Sequence, residues 1–161
     1  MKKISLFVCL LLLLSCSKNP AHFSEEALQE TLLSKDGTTT TFQQVLKKYK
    51  GKKVLIDVWA SWCGDCIKGL PNLKQLQNDN PEVQYLFLSI DKSKRNWKRA
   101  IDNYQIKGDH YLMPQEKKGA LGKFLRLWWI PRYIVVNESG EISLFKATKI
   151  TDKNILEAFK K

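Results

Sequence analysis

The sequence lacks the residues and segments that several classes of protein require. It has two histidines and four cysteines in 161 residues, which limits the ligands available to a metal site. Its apolar run at residues 4–14 is shorter than the roughly 20 residues that span a bilayer, and no second candidate span follows. No internal repeat or low-complexity segment is present. These absences favour one domain with its own hydrophobic core, for which an apolar share of 43% is sufficient.

The N-terminus has the order of charge and hydropathy that is typical of an export signal. Two lysines precede the apolar run, and small residues close it. The segment Leu13–Cys16 (LLSC) resembles the lipobox of bacterial lipoproteins, in which cleavage precedes a cysteine that then carries lipid. The resemblance implies a signal peptide at residues 1–15, a lipidated tether at residues 16–24 that anchors the protein to a membrane, and a domain at residues 25–161. An ordinary signal peptide with a chance cysteine is the alternative.

The export signal changes the cysteine count. Cys9 is lost with the signal and Cys16 carries lipid, so only Cys63 and Cys66 remain in the domain. A framework of structural disulfides is therefore excluded. In an oxidising compartment such as the periplasm, a lone close-spaced pair becomes a disulfide unless another protein reduces it.

The chain is strongly basic. The formal net charge is +11, and removal of the lysines at positions 2 and 3 leaves 11 − 2 = +9. Nucleic acid is a common partner of such proteins, but export argues against it. Because the basic residues are spread along the sequence, we expect them to form a solvated surface. Contact with anionic lipid or with an acidic partner is the alternative.

Hydrophobic periodicity predicts an alternation of strands and helices. Strands are predicted at 54–60, 83–90, 132–136 and 141–145, and helices at 42–49, 64–78, 93–104, 117–127 and after an N-cap at Thr151. KDGT at 35–38 indicates a hairpin turn, and Tyr104 is expected on the inward face of its helix. The order predicts an α/β domain with a central mixed sheet, in which the first two of these strands are parallel neighbours.

The segment WASWCGDC, residues 59–66, lies where the first buried strand meets its helix. Helix N-terminal amides and the helix dipole favour a thiolate on Cys63. Cys66 follows one turn later, where a resolving thiol would lie. A structural zinc is one alternative, but it needs four ligands, and only His22 and His110 could be added to the cysteines. Burial of both cysteines in the core is another alternative, against which the flanking tryptophan argues.

The longer segment VLIDVWASWCGDCIKGLP, at residues 54–71, resembles the active-site segment of the thioredoxin superfamily. With the export signal, the tether and the long middle segment, it is most similar to the membrane-anchored TlpA/ResA-like branch. The resemblance implies a thioredoxin-like fold with an N-terminal extension and a middle insertion. It also implies a redox-active Cys63–Cys66 pair with Cys63 as the nucleophile. The residues expected to contact a substrate are Trp62, Gly64, Asp65, Ile130 and Pro131.

Three further residues lie at positions that are characteristic of the superfamily. Asp57 matches a buried acid six residues before the first cysteine. A carboxyl group in an apolar strand should have a raised pKa and could take the proton from Cys66. The alternative is that Asp57 has only a structural role. Pro71 interrupts the helix and should kink it. Pro131 matches a cis-proline that presents the backbone of Ile130 to an extended substrate, and a trans proline at a strand start is the alternative.

Three positions depart from the family pattern. Asp65 replaces a frequent proline and puts a negative charge near the nucleophilic thiolate, which should make the couple more reducing, partly offset by Lys68. Gly69 replaces a frequent glutamate, so Asp57 alone would handle the proton. Arg132 replaces a small residue after the proline. We therefore expect Arg132 to alter the substrate groove and to select acidic or narrow partners.

The sequence thus predicts a membrane-anchored thiol–disulfide oxidoreductase of the bacterial envelope, which reduces disulfides of partner proteins and contributes to redox homeostasis there. An upstream membrane dithiol reductant would recharge the pair, and no metal or other cofactor is expected. Two alternatives stay open. One is a redox-inert binding lipoprotein that keeps the fold, and the other is a disulfide oxidant or isomerase, which would need a strongly stabilised thiolate.

Overall fold

The computed structural model describes residues 19–161, so the signal peptide and the lipidation site predicted from the sequence lie outside it. Seven strands form one sheet with helices packed around it. The strands are β1 (Thr31–Ser34), β2 (Thr39–Thr41), β3 (Val54–Trp59), β4 (Gln84–Ser89), β5 (Asp109–Leu112), β6 (Arg132–Val136) and β7 (Ile142–Ala147). The helices are α1 (Glu25–Leu28), α2 (Phe42–Lys47), α3 (Gly64–Asp79), α4 (Lys94–Tyr104), α5 (Ala120–Phe124) and α6 (Lys153–Phe159). Among residues 19–161, no helix combines the length and the hydropathy needed to cross a membrane.

The strand order is β2-β1-β5-β4-β3-β6-β7. β3 and β4 are parallel, and β6 pairs with β3 in the antiparallel direction. The α/β class, the mixed sheet and the parallel pairing are therefore as predicted. Every residue of β3 is buried, because this strand is central and both of its faces are covered. The C-terminal end of β3 leads directly to the cysteine segment.

Two additions extend the sheet beyond β4. β1 and β2 form a hairpin in the N-terminal extension, and β5 comes from the middle insertion and lies between β4 and β1. The sequence predicts the turn of this hairpin, where Gly37 has a φ of 97°, a conformation that favours glycine. It does not predict β5, because four residues with one polar end give little periodic signal.

The last residues of the segment assigned to the tether, 16–24, are part of the domain. The Phe23 side chain is buried, and its ring lies 4.9 Å from the ring of Phe42 and 5.4 Å from the ring of Phe124. The carbonyl of Ala21 accepts a hydrogen bond from a backbone N–H of β7 at 2.7 Å. The packed structure therefore begins a few residues earlier than the sequence indicates, because one aromatic residue in a polar stretch is a weak signal of burial.

The prediction of a single helix at 117–127 is wrong. A 3₁₀ turn at Glu116–Lys118 and helix α5 are separated by Gly119. A Cβ atom on Gly119 would lie 2.1 Å from the carboxylate of Glu30, which accepts a hydrogen bond from the backbone N–H of Ala120 at 2.8 Å. A long-range contact thus sets this break, and the local sequence does not show it.

Two details at helix ends also differ from the predictions. Tyr104 is 40% exposed rather than buried, because α4 ends there and Gln105 adopts a left-handed conformation. Helix α6 is capped by Asp152, whose side chain accepts a hydrogen bond from Asn154 N–H, and not by Thr151. Both residues are good N-caps, so the sequence alone does not choose between them.

Candidate active site

The two cysteines of the domain lie at the N-terminus of α3. Cys63 is the N-cap of this helix, and its Sγ accepts a hydrogen bond from the backbone N–H of Cys66 at 3.1 Å. The two sulfur atoms are bonded, at 2.08 Å. α3 is 16 residues long, so its dipole and free amides stabilise the thiolate that reduction would leave on Cys63.

A groove of about 350 Å³ opens beside the cysteine pair. Cys63 lines this groove, whereas Cys66 is not among its lining residues. The predicted contact residues Trp62, Gly64, Asp65 and Ile130 also line it, together with Trp128 and Trp129. An incoming disulfide can therefore approach Cys63 first, which favours Cys63 as the attacking sulfur and Cys66 as the resolving one.

Asp57 is a buried carboxyl group on β3. It is 5% exposed, and its Oδ1 has no hydrogen-bond partner within residues 19–161. Burial without such partners disfavours the ionised form and raises the pKa of Asp57 from 3.8 to about 8. At pH 7 the group is therefore largely protonated, and it can exchange a proton at moderate cost with a thiol, whose ordinary pKa is about 8.5.

The hydroxyl of Tyr133 occupies the space beside Gly69, where the family pattern has glutamate. A Cβ atom on Gly69 would lie 3.5 Å from the Tyr133 oxygen. Tyr133 pairs with Asp57 in the β3–β6 register, so the two side chains share one face of the sheet. Burial raises the pKa of Tyr133, and the nearby Asp57 carboxylate raises it further. The position of this neutral hydroxyl is not predictable from the sequence, because it depends on the register that places Tyr133 beside Asp57.

The Ile130–Pro131 peptide bond is cis, as the family resemblance predicts. Ile130 is half-buried and lines the groove beside Cys63. Its N–H and C=O form no backbone hydrogen bond within residues 19–161, since β6 begins two residues later. An extended partner segment could pair with this free backbone.

Asp65 and Lys68 form an ion pair at the exposed side of α3. Their charged groups lie 3.7 Å apart, and the side chains are 59% and 82% exposed. Water and salt screen a pair of this kind, and the ammonium of Lys68 offsets the negative charge of Asp65. The effect of Asp65 on the redox couple stays a prediction, and the geometry indicates that it is modest.

Arg132 does not line the substrate groove, so the prediction that it selects acidic or narrow partners is wrong. It is 2% exposed. Its guanidinium group donates hydrogen bonds to the carbonyl oxygens of Leu125 and Arg126, the latter at 3.1 Å. Burial lowers the pKa of the guanidinium, and the neighbouring Arg126 adds to this effect. Arg132 instead anchors the start of the loop that carries Trp128 and Trp129.

Asp91 is a second buried acid near the cysteines, and the sequence analysis missed it. Its carboxylate accepts hydrogen bonds from the Ser61 N–H at 2.8 Å, the Ser61 hydroxyl at 2.6 Å and the Ser89 hydroxyl at 2.8 Å. These bonds fix the turn that presents Trp62 and Cys63. A serine or an aspartate next to a strand is usually part of a turn, so no pattern in the sequence indicates this network.

Neither histidine joins the cysteine pair. His110 stacks on Phe87 with ring centres 4.8 Å apart, and its Nε2 lies 2.9 Å from the carbonyl oxygen of Ile106. Within the part of the chain that the structure covers, no three Cys, His, Asp or Glu side chains cluster as metal ligands. The geometry therefore gives no support to the zinc alternative.

Comparisons with known proteins agree with this geometry. Residues 51–142 match a family model described as thioredoxin-like. Sporulation thiol-disulfide oxidoreductase A of Bacillus subtilis (strain 168) is 29% identical over 112 residues, which cover 67% of this chain and 67% of that protein. Thiol-disulfide oxidoreductase ResA of Oceanobacillus iheyensis is 25% identical over 99 residues, which cover 60% of this chain and 50% of that protein.

A solved structure extends the agreement to the fold. The solution structure of a Bacteroides vulgatus protein assigned as a thiol-disulfide oxidoreductase matches with a TM-score of 0.67 and 30% identity, over 81% of this chain and 83% of that chain. The fold, the cysteine pair and these relatives define a thiol–disulfide oxidoreductase. The chain belongs to the thioredoxin-like family. It spans between half and two thirds of the length of the two curated relatives.

Proposed function

We propose that this protein is an exported thiol–disulfide oxidoreductase that reduces disulfide bonds of partner proteins. The observation that carries the proposal is the position of Cys63, which caps α3 and lines an open groove, whereas Cys66, one turn further along the helix, does not line it. One sulfur is thereby placed for attack and the other for resolution.

The exchange proceeds in two displacements. The Cys63 thiolate attacks one sulfur of the partner disulfide, and the other partner sulfur leaves as a thiolate. Cys66 then gives its proton to the ionised form of Asp57, which is the minor form at pH 7 and the major form above pH 8, and the resulting thiolate attacks Sγ of Cys63. The Cys63–Cys66 bond forms as the mixed disulfide breaks, so the partner leaves with both of its cysteines reduced. Two electrons pass to the partner, and a membrane dithiol reductant would return the pair to its reduced state.

The buried acid supports this assignment of the proton. A carboxyl group with a pKa of about 8 is matched to a thiol whose ordinary pKa is about 8.5. Proton transfer between two such groups has only a small free-energy difference. An ordinary exposed Asp, with a pKa of about 4, would be a far weaker base.

The proposed location is the outer face of a membrane, in the periplasm or another extracytoplasmic space. The signal peptide at residues 1–15 and lipid on Cys16 would place the protein there. Since the chain packs onto the domain from Ala21, only residues 16–20 would form the link, and five residues reach at most about 18 Å. Cys16→Ser should move the protein from the membrane to the soluble fraction, and retention in the membrane would contradict the anchor.

A trapping experiment tests the mechanism. Cys66→Ser should accumulate a mixed disulfide between Cys63 and a partner, visible by non-reducing electrophoresis and mass spectrometry. Cys63→Ser should form no such adduct and should lose the reduction of protein disulfides. Undiminished turnover by Cys63→Ser would contradict the mechanism. Binding of the same partners by the variant that lacks both cysteines, without any turnover in the wild type, would support the redox-inert alternative.

A further inference from the structure

The groove beside Cys63 continues into a second groove with a cationic lining. The two grooves share Lys117, Leu127 and Trp128. The second groove has a volume of about 490 Å³. Its charged lining residues are all positive: Lys117, Lys118, Lys123 and Arg126. None of these four takes part in an ion pair anywhere in residues 19–161. The guanidinium of Arg126 lies over the ring of Phe145, 5.6 Å from its centre, so the charges of the three lysines are the ones available to a partner.

The same surface carries three exposed tryptophans. Trp128 is 88% exposed, Trp62 is 65% exposed and Trp129 is 63% exposed, whereas Trp59 and Trp97 are buried in the core. All three exposed rings line the groove beside Cys63, and Trp128 also lines the cationic groove. Clustered exposed aromatic rings usually mark an interaction surface, and tryptophan and arginine are the residues that contribute most to such surfaces.

Packing beneath this surface fixes the spacing of its side chains. Arg132 holds the carbonyl oxygens of Leu125 and Arg126. A Cβ atom on Gly122 would lie 2.5 Å from the carbonyl oxygen of Glu116, so α5 and the 3₁₀ turn are in close contact. The three lysines therefore project from two rigidly joined elements, and Arg126 lies just after α5.

Few negative charges oppose these cations. Asp65 lines the groove beside Cys63, but it is already paired with Lys68. Glu116 is half-buried in the 3₁₀ turn, and Glu30 is buried at the N-terminus of α5, where its carboxylate accepts hydrogen bonds from the N–H groups of Ala120 and Leu121. Without the proposed signal peptide, which carries Lys2 and Lys3, the chain has a formal net charge of 11 − 2 = +9, which adds a long-range attraction for negative partners.

We propose that this aromatic and cationic surface binds an acidic segment of the partner protein, with an apolar residue of that segment against Trp128 and the partner disulfide at Cys63. The inference rests on the proposed function and specifies the kind of partner protein that this oxidoreductase would reduce. A protein segment fits better than a lipid surface, because the grooves are concave and a flat bilayer would not reach Cys63, which is 6% exposed. Charge complementarity of this kind mainly accelerates association and sets specificity.

The test uses two disulfide-bonded peptides that differ only in flanking residues, four glutamates in one and four lysines in the other. The kcat/KM for their reduction is measured with the reduced protein at low salt and at about 0.3 M salt. We expect the acidic peptide to be preferred by about tenfold or more at low salt, and by less at high salt because the charges are screened. Lys118→Glu with Lys123→Glu should abolish the preference. The matched control is Lys74→Glu with Arg99→Glu, which changes the net charge by the same amount at exposed residues that line neither groove. This control should keep most of the preference for the acidic peptide.

The outcomes separate this inference from the proposed function. Equal reduction of both peptides by the wild type would overturn the acidic-segment inference and leave the oxidoreductase function standing. Reduction of neither peptide would contradict the proposed function and the inference with it. An equal loss of preference in the groove variant and in the control variant would show that net charge alone sets the preference, and this result would also overturn the acidic-segment inference. Vesicles with about 30% phosphatidylserine provide the last comparison: if the groove variant loses vesicle binding but keeps the peptide preference, the cations contact lipid instead.

Discussion

Replacement of Asp57 by asparagine should stabilise the oxidised protein at neutral and alkaline pH. Asp57 is 5% exposed, and burial raises its pKa from 3.8 to about 8. Between these two pH values the folded protein holds a proton that the unfolded chain has released. The free energy of unfolding therefore falls as the pH rises from about 4 to about 8. Asparagine has nearly the same shape and does not ionise, so the variant should not show this fall.

The expected size follows from the two pKa values. A difference of one pKa unit corresponds to about 1.4 kcal/mol. The difference between 3.8 and about 8 therefore gives roughly 6 kcal/mol above pH 8, roughly 4 kcal/mol at pH 7 and almost nothing at pH 4. Relaxation and water entry around a buried ion reduce its cost, so we expect a measured gain of about 2 kcal/mol or more at pH 8.

Urea unfolding of the oxidised wild type and of Asp57→Asn, followed by tryptophan fluorescence from pH 4 to pH 9, measures this difference. The two curves should agree near pH 4 and separate as the pH rises. Curves that run parallel over the whole range would refute the reasoning, since they would mean that Asp57 titrates alike in the folded and unfolded chains. Asp79→Asn makes the same chemical change at an exposed position of α3 and serves as the matched control.

Two further changes test the packing around the site. Arg132→Lys should lower the free energy of unfolding by about 2 kcal/mol, because lysine lacks the planar fork that reaches both carbonyl oxygens; unchanged denaturant unfolding would contradict the anchoring role. Gly108 has a φ of 137°, and a Cβ atom there would lie 2.5 Å from the carbonyl oxygen of Tyr85, whereas Gly37, with a φ of 97°, has open space around it. Gly108→Ala should therefore cost at least about 2 kcal/mol more than Gly37→Ala in thermal unfolding, and equal costs would refute the predicted clash.

The sequence predicts the centre of the fold because its signals there are local. Val54–Trp59 is apolar except for Asp57, Gln84–Ser89 has an apolar centre between Gln84 and Ser89, and α3 has its apolar residues at helical spacing. β5 was missed because its position depends on pairing with β1, about 75 residues earlier in the chain. The break at Gly119 likewise depends on the distant Glu30.

The site, like the fold, has parts that the sequence predicts and parts that depend on long-range packing. The motif identifies the cysteine pair, and the family resemblance predicts the buried Asp57 and the cis bond before Pro131. Arg132 was misplaced because β6 lies between β3 and β7 and all of its residues are buried, so alternation along the strand does not show which side chains reach a groove. Trp128 is a large apolar residue that follows Leu127, which is buried, and only the geometry of the anchored loop reveals that Trp128 is exposed.

The reduction potential of the Cys63–Cys66 pair tests the central claim most directly. The purified protein would be equilibrated in dithiothreitol and glutathione buffers of defined reduction potential. The oxidised fraction of the pair would then be measured by thiol alkylation and mass spectrometry. A reductant of partner disulfides should show one two-electron transition near or below about −250 mV, which is close to the reduction potential of thioredoxin. A transition near about −120 mV, where strong oxidants lie, would contradict the direction of electron flow proposed here, and the absence of any transition would contradict the redox function itself.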